Sequence, residues 1–236
     1  MENRPVIPNR PQFIDLMRPG ERLAELIYLP IHLFALPLLL PKLALIIPNL
    51  DSVTLNLIYY IIGFAYTLIL CWRFLHAGFS AAIDRIGSFL IAIASAYLLE
   101  TALSLILSYA LILFDAVDLS SPNNTAIEAM APEGLNKLIA MTVFMAPIVE
   151  EVLFRGLVFG GLHRRSRLLA WIVSALVFSL YHVWQYAIYD PAALLSAVLY
   201  LPASLAFNWC YERSGSIWAP IIYHMLANAI GMSIMY

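Results

Sequence analysis

Long apolar runs dominate the chain from Ala24 onward, each closed by a short cluster of Pro, Asn, Asp, Arg or Gly. An α-helix needs about 20 mostly apolar residues to cross a bilayer. Seven stretches meet that need, at about Ala24–Ile47, Val53–Cys71, Ser88–Phe114, Leu138–Leu162, Leu168–Tyr186, Ala192–Tyr211 and Ile217–Met235. Pro30, Pro37 and Pro41 fall inside the first, which is expected to be kinked or partly re-entrant. The pattern predicts an all-α, polytopic membrane helix bundle of about seven transmembrane helices. It forms one domain over 24–236 behind a polar, Pro-broken lead-in at 1–23.

Composition strengthens this reading. Of 236 residues, 62% are hydrophobic and 12% charged, against roughly 45–50% and about 25% in a soluble domain. The bilayer is therefore the solvent, and membrane lipid is the first partner. A net charge of −2 and the lack of a basic stripe with interleaved aromatics give nucleic acid no footing. Lys and Arg are retained on the cytoplasmic side of membranes. Arg4, Arg10, Arg18 and Arg22 precede span one, Arg73 and Arg85 follow span two, Arg164, Arg165 and Arg167 follow span four, and Arg213 follows span six. The opposite loops, Asn49–Ser52, Asp115–Glu133 and Asp190, hold almost no positive charge. The expected orientation is N-terminus cytosolic and C-terminus on the opposite side. Cys71 and Cys210 have neither a CxxC nor a zinc-type spacing and are expected to be free core thiols.

Within this apolar background, a few ionisable side chains stand out. Each costs about 2.5–3.5 kcal/mol at a helix centre, so each needs a reason to be there. Span four carries Glu150, Glu151 and Arg155 in PIVEEVLFRG, span five His182 in FSLYH, and span seven His224 and Asn228 in HMLAN. Glu151 and Arg155 are four apart and share a helix face. Glu150 is turned about 100° from Glu151, so Arg155 can hold one carboxylate while the other stays free to act as a base. His224 and Asn228 share a face by the same rule.

At a rise of about 1.5 Å per residue, Glu150 lies ~20 Å from the cytosolic end of span four and His182 ~21 Å from the start of span five. His224 and Asn228 lie ~12 and ~18 Å into span seven. Three helices thus bring their polar groups to one layer. A carboxylate within reach of water can take its proton as the water attacks a carbonyl, and imidazole and amide groups can donate to the oxyanion that forms. The same donors, Glu150, His182, His224 and Asn228, could instead ligate zinc. The residues alone leave both chemistries open.

EEVLFR, FSLYH and HMLAN fit, in order, the motifs EExxxR, FxxxH and HxxxN. From about Leu138 to Ile230 the chain resembles the CAAX protease and bacteriocin-processing (CPBP/Abi) family of intramembrane endopeptidases, which includes the type II CAAX prenyl proteases. The resemblance implies that Glu150 activates water with help from His182, that Glu151 and Arg155 are an orienting pair, and that His224 and Asn228 stabilise the oxyanion. It also implies a membrane-associated peptide or protein as substrate, prenylated in the CAAX case. An older description of the family as metalloproteases would make the same residues a metal site.

Blander roles account for other polar residues. His32 is expected to bond between helices, His76 and His163 to be solvated in loops, and Asn208 to hydrogen-bond near a helix end. Glu100, alone in span three at a similar depth, is left out of the site. Two other functions fit buried Glu and His. A proton-coupled transporter would usually show paired halves with matched broken helices, and no such repeat is visible. A non-catalytic immunity or scaffold protein would leave the motif side chains dispensable.

Overall fold

The computed structural model describes residues 13–116 and 118–235. Residues 1–12 of the lead-in, with Arg4 and Arg10, lie outside them. The described residues form helices α1 (Pro19–Leu45), α2 (Ser52–Leu70), α3 (Trp72–Asp84), α4 (Ile86–Leu113), α5 (122–163), α6 (Arg167–Tyr181), α7 (Trp184–Ala187), α8 (Pro191–Ser214) and α9 (Trp218–Met235). The chain is an all-α membrane bundle. Four helices, α1, α2, α4 and α8, are long and apolar enough to cross a bilayer. The other three nominated segments differ in kind: α5 and α9 carry the polar groups, and α6 has only 15 residues.

Local sequence explains most helix starts. Pro19 opens α1 and Glu21 accepts the Arg18 backbone N–H at 3.0 Å, while its second oxygen accepts Phe74 N–H at 2.7 Å and ties α1 to the start of α3. Asp51 caps α2 by accepting Thr54 N–H, Ser121 caps α5, Ser166 caps α6, and Asp190 caps α8. Gly215 closes α8 at φ +68°, a left-handed conformation that favours glycine.

Three wide π-type turns interrupt the helices, at Ile31–Ala35 in α1 and at Ala140–Met145 and Val152–Phe159 in α5. Such turns recur at functional sites. The first follows Pro30, which has no N–H to give the helix ladder. The third contains Arg155.

Helix α3 was not foreseen, since residues 72–84 read as a loop between spans two and three. It is too short and polar for the spanning window, yet buries Phe74, Leu75, Gly78 and Ala82 along one face. Trp218 Nε1 donates to Leu75 O at 2.8 Å and Ser216 Oγ to Gly78 O at 2.7 Å, fastening it to the start of α9. The acidic loop expected over Asp115–Glu133 is also partly helical, because α5 begins at Pro122 and bends at Gly134. In the lead-in, Phe13 packs against Phe159 and Tyr211, Met17 is buried, and Asp15 pairs with Arg22 and Arg164.

His163 is a correction. It is not a solvated loop residue, but ends α5 within 2.8 Å of Glu212 and against the rings of Phe13 and Phe159. Asn208 also sits deeper than expected. It is fully buried, accepts from Ser174 and donates to Trp171 O, joining α8 to α6. Cys71 and Cys210 are free and buried. Leu45, Ile69, Leu98, Ile106 and Leu113 face outward, as expected where lipid rather than water surrounds the bundle.

Candidate active site

Helices α2, α4, α5, α6, α8 and α9 surround a cavity of about 670 Å³ lined by Tyr60, Glu100, Glu150, His182, His224 and Asn228, among others. Its walls also include Ser52, Asn123, Asn124 and Glu133, from the ends of α2 and α5 that lie away from the Arg-rich loops.

Arg155 anchors the floor. It is 0% exposed and donates to Glu151 at 3.2 Å, to Ser204 O at 3.2 Å and to Ser204 Oγ at 2.9 Å. Its guanidinium lies 4.3 Å from the Phe178 ring centre and 4.8 Å from that of Phe207, where cation–π attraction is strengthened by desolvation. Glu151 therefore carries its charge into a dry site beside a compensating cation. The same Glu151 oxygen stands 2.9 Å from His224 Nδ1. Glu151 is thus shared between Arg155 and His224, and α5 is coupled to α9.

Glu150 points elsewhere, as the turn between adjacent helix positions requires. One carboxylate oxygen accepts the Tyr60 hydroxyl at 3.0 Å. The other lies 4.0 Å from His182 Nε2 and 3.9 Å from His224 Nε2. His182 Nδ1 is 2.9 Å from Phe178 O, an acceptor only, so Nδ1 carries a proton. In the neutral rings Nδ1 donates, to Phe178 O in His182 and to Glu151 in His224, and each Nε2 lone pair turns toward Glu150. Three acceptors then converge without a donor between them. A water molecule, with two protons to donate, suits that gap.

Aromatic rings fix both imidazoles. Tyr200 stacks on His182 at 4.4 Å and Phe207 on His224 at 4.5 Å. Asn228 donates one amide N–H to Thr142 O at 2.8 Å, within the second π-type turn, which leaves its other N–H free of that bond. All six residues nominated from the motifs thus lie in or directly under one cavity.

Sequence reasoning missed Tyr60, whose hydroxyl meets Glu150 directly, and set aside Glu100, which lines the cavity and accepts from Tyr223 at 2.6 Å. Tyrosine is apolar enough to pass as part of a hydrophobic run. Depth was the available signal: Tyr60 lies eight residues into α2, about 12 Å at the helical rise, well past an interface.

The zinc alternative can be tested on the donor set. Ligands about 2.0–2.1 Å from a tetrahedral zinc lie about 3.3 Å from one another, whereas both imidazoles stand 3.9–4.0 Å from the carboxylate oxygen. Among the described residues no group of three or more His, Cys, Asp or Glu side chains is arranged to hold a metal ion. The set does not fit zinc as it stands.

Residues 133–230, which hold all six motif side chains, match the family described as type II CAAX prenyl endopeptidase Rce1-like. Over these residues the chain is similar to the type II CAAX prenyl endopeptidases. The chain is also similar to a protein of Bacillus subtilis (strain 168) named "Putative membrane peptidase YdiL", 29% identical over 92 residues. That match takes in 39% of this chain and 34% of the relative, so the chain spans about a third of the relative it matches. No solved structure matches the chain. His32, Tyr60 and Glu100 lie outside the residues that match the family.

Proposed function

We propose that the protein is an intramembrane endopeptidase that hydrolyses a peptide bond of a membrane-associated or lipidated substrate, with Glu150 as the base. The observation that carries this reading is the convergence of Glu150 with the Nε2 atoms of His182 and His224. A water held there donates one proton toward Glu150 and the other toward His182, and aims a lone pair into the cavity.

As the water oxygen attacks the peptide carbonyl carbon, Glu150 takes its proton. The carbonyl oxygen becomes an oxyanion and meets the remaining N–H of Asn228. When His224 has taken up a proton from solvent on Nε2, that N–H joins it, the ring held from behind by Glu151; this proton stays on His224 through the step. The tetrahedral intermediate collapses, the C–N bond breaks, and the Glu150 proton passes to the leaving nitrogen. One water is consumed; its second proton follows the first to the leaving nitrogen, so the products are a carboxylate and an ammonium group. Arg155 acts at a distance by keeping Glu151, and through it His224, in place.

The Arg-rich end of the bundle supports a cytosolic N-terminus and a C-terminus on the opposite side. The reading is tested by presenting prenylated and unprenylated fluorogenic peptides to purified protein, Glu150→Ala and His182→Ala. Cleavage by the wild type alone is expected, with both variants inserted and folded. Retained cleavage by either variant would show that the replaced side chain does not activate the water. A loss of cleavage when only the prenyl group is omitted would identify lipidated peptides as the substrate class.

A further inference from the structure

His32 belongs to α1, outside residues 133–230, and is 0% exposed. It sits in the π-type turn after Pro30, which widens the helix and gives the side chain a different heading from its neighbours. Its Nδ1 is 3.2 Å from the Tyr28 hydroxyl. Its Nε2 is 2.8 Å from the Tyr59 hydroxyl and 3.2 Å from the Tyr181 hydroxyl. Tyr59 and Tyr181 lie 3.1 Å apart, and Tyr181 is 3.4 Å from the Tyr60 hydroxyl, which donates to Glu150. A buried line of hydrogen bonds therefore runs from α1 through α2 and α6 to the carboxylate.

Proton counting gives the line a direction. Tyr60 has one hydroxyl proton and donates it to Glu150, so toward Tyr181 it can only accept. Tyr181 then donates to Tyr60 and must accept from His32, because Tyr59 gives its one proton to His32 O at 3.1 Å. His32 supplies that donor with Nε2–H while Nδ1 accepts from Tyr28. Along His32, Tyr181 and Tyr60 each proton then points toward Glu150. The rings are also stacked, His32 on Tyr59 at 4.6 Å and on Tyr181 at 5.6 Å, so none of them turns freely.

We propose that His32, acting through Tyr181 and Tyr60, is a positioning residue for Glu150. It holds the Tyr60 hydroxyl on one carboxylate oxygen, so that the other stays turned toward His182 and His224. A buried imidazole among three tyrosines could serve only as helix-to-helix packing. That role would leave the state of Glu150 indifferent to His32, and there the two accounts part.

The inference rests on Glu150 being the acting base, but the connection itself can be read without a substrate. The full-length protein in nanodiscs is labelled with carbon-13 at glutamate, and the infrared difference between wild type and Glu150→Gln assigns the Glu150 carboxyl band. Tyr60→Phe removes the direct bond and displaces that band. His32→Phe is expected to displace it in the same direction, and His32→Phe/Tyr60→Phe no further than Tyr60→Phe alone. Tyr181→Phe, which keeps His32 but cuts the 3.4 Å link, gives the same displacement and carries the test if His32→Phe fails to fold. A lowered melting temperature with the band unmoved in Tyr181→Phe and in folded His32→Phe would overturn the proposal. With a peptide the wild type cleaves, His32→Phe should lower kcat about tenfold while KM stays within twofold. If Glu150→Gln cleaves as fast as wild type, the reading of Glu150 as base fails, whatever the band shows of the connection.

Discussion

Replacing Glu151 by Gln removes one charge from a site that water does not reach. Arg155 and Glu151 are both fully buried and joined at 3.2 Å. Gln keeps the shape and one acceptor oxygen, so Arg155 and His224 can still donate to it, but the guanidinium loses its counter-charge. Removing one partner of a buried pair typically costs about 3–5 kcal/mol. The bonds to Ser204 and the contacts with Phe178 and Phe207 remain and go on stabilising the cation, which places the expected cost at the low end. About 3 kcal/mol is roughly a hundredfold in the unfolding equilibrium. Reversible unfolding in mixed micelles, followed by tryptophan fluorescence, measures it. The companion variant Glu151→Gln/Arg155→Met removes the stranded charge as well, and should recover most of the stability without recovering activity. Unchanged stability in Glu151→Gln, or a double variant no more stable than the single one, would refute the argument that charge compensation fixes this pair.

Three other perturbations probe different parts of the molecule. A Cβ added at Gly156 would lie 2.8 Å from Met17 Cε and 2.8 Å from Phe74 Cε1, so Gly156→Ala should destabilise the bundle by about 1–3 kcal/mol. Adding Met17→Ala should return part of this in the same unfolding assay. Asp51, at the solvent-exposed start of α2, is held below its ordinary carboxyl range first by the Thr54 side chain and then by the Thr54 backbone N–H. Its stabilising effect is therefore present above the unfolded value and fades as pH falls through the folded one. Asp51→Asn should lower the melting temperature at pH 7 and make no difference at strongly acid pH. If water rather than metal mediates the proposed hydrolysis, chelation with 1,10-phenanthroline should leave cleavage unchanged and the purified protein should carry substoichiometric metal; loss of cleavage restored by added zinc would reverse that expectation.

The sequence by itself determined the all-α membrane class and named four residues that line one cavity, with two that lie beneath it. The reason is energetic: ionisable groups are so costly in an apolar span that Glu150, Glu151, Arg155, His182, His224 and Asn228 stand out without any coordinates. Helical spacing also predicted correctly that Glu151 would pair with Arg155 while Glu150 turned away. Tertiary structure decided what each group touches. Tyr60 meets Glu150, Glu100 lines the cavity, and His32 reaches toward the site from α1, because tyrosine is apolar enough to hide within a hydrophobic run and only its neighbours show where its hydroxyl goes. The amphipathic α3 escaped notice because Arg73, His76, Ser80 and Asp84 interrupt its apolar residues, and only docking against the start of α9 shows what its apolar face covers. His224 is the plainest case. Its place in a motif marked it, but the 2.9 Å approach to Glu151, a contact between residues far apart in the chain, sets which of its nitrogens faces the cavity.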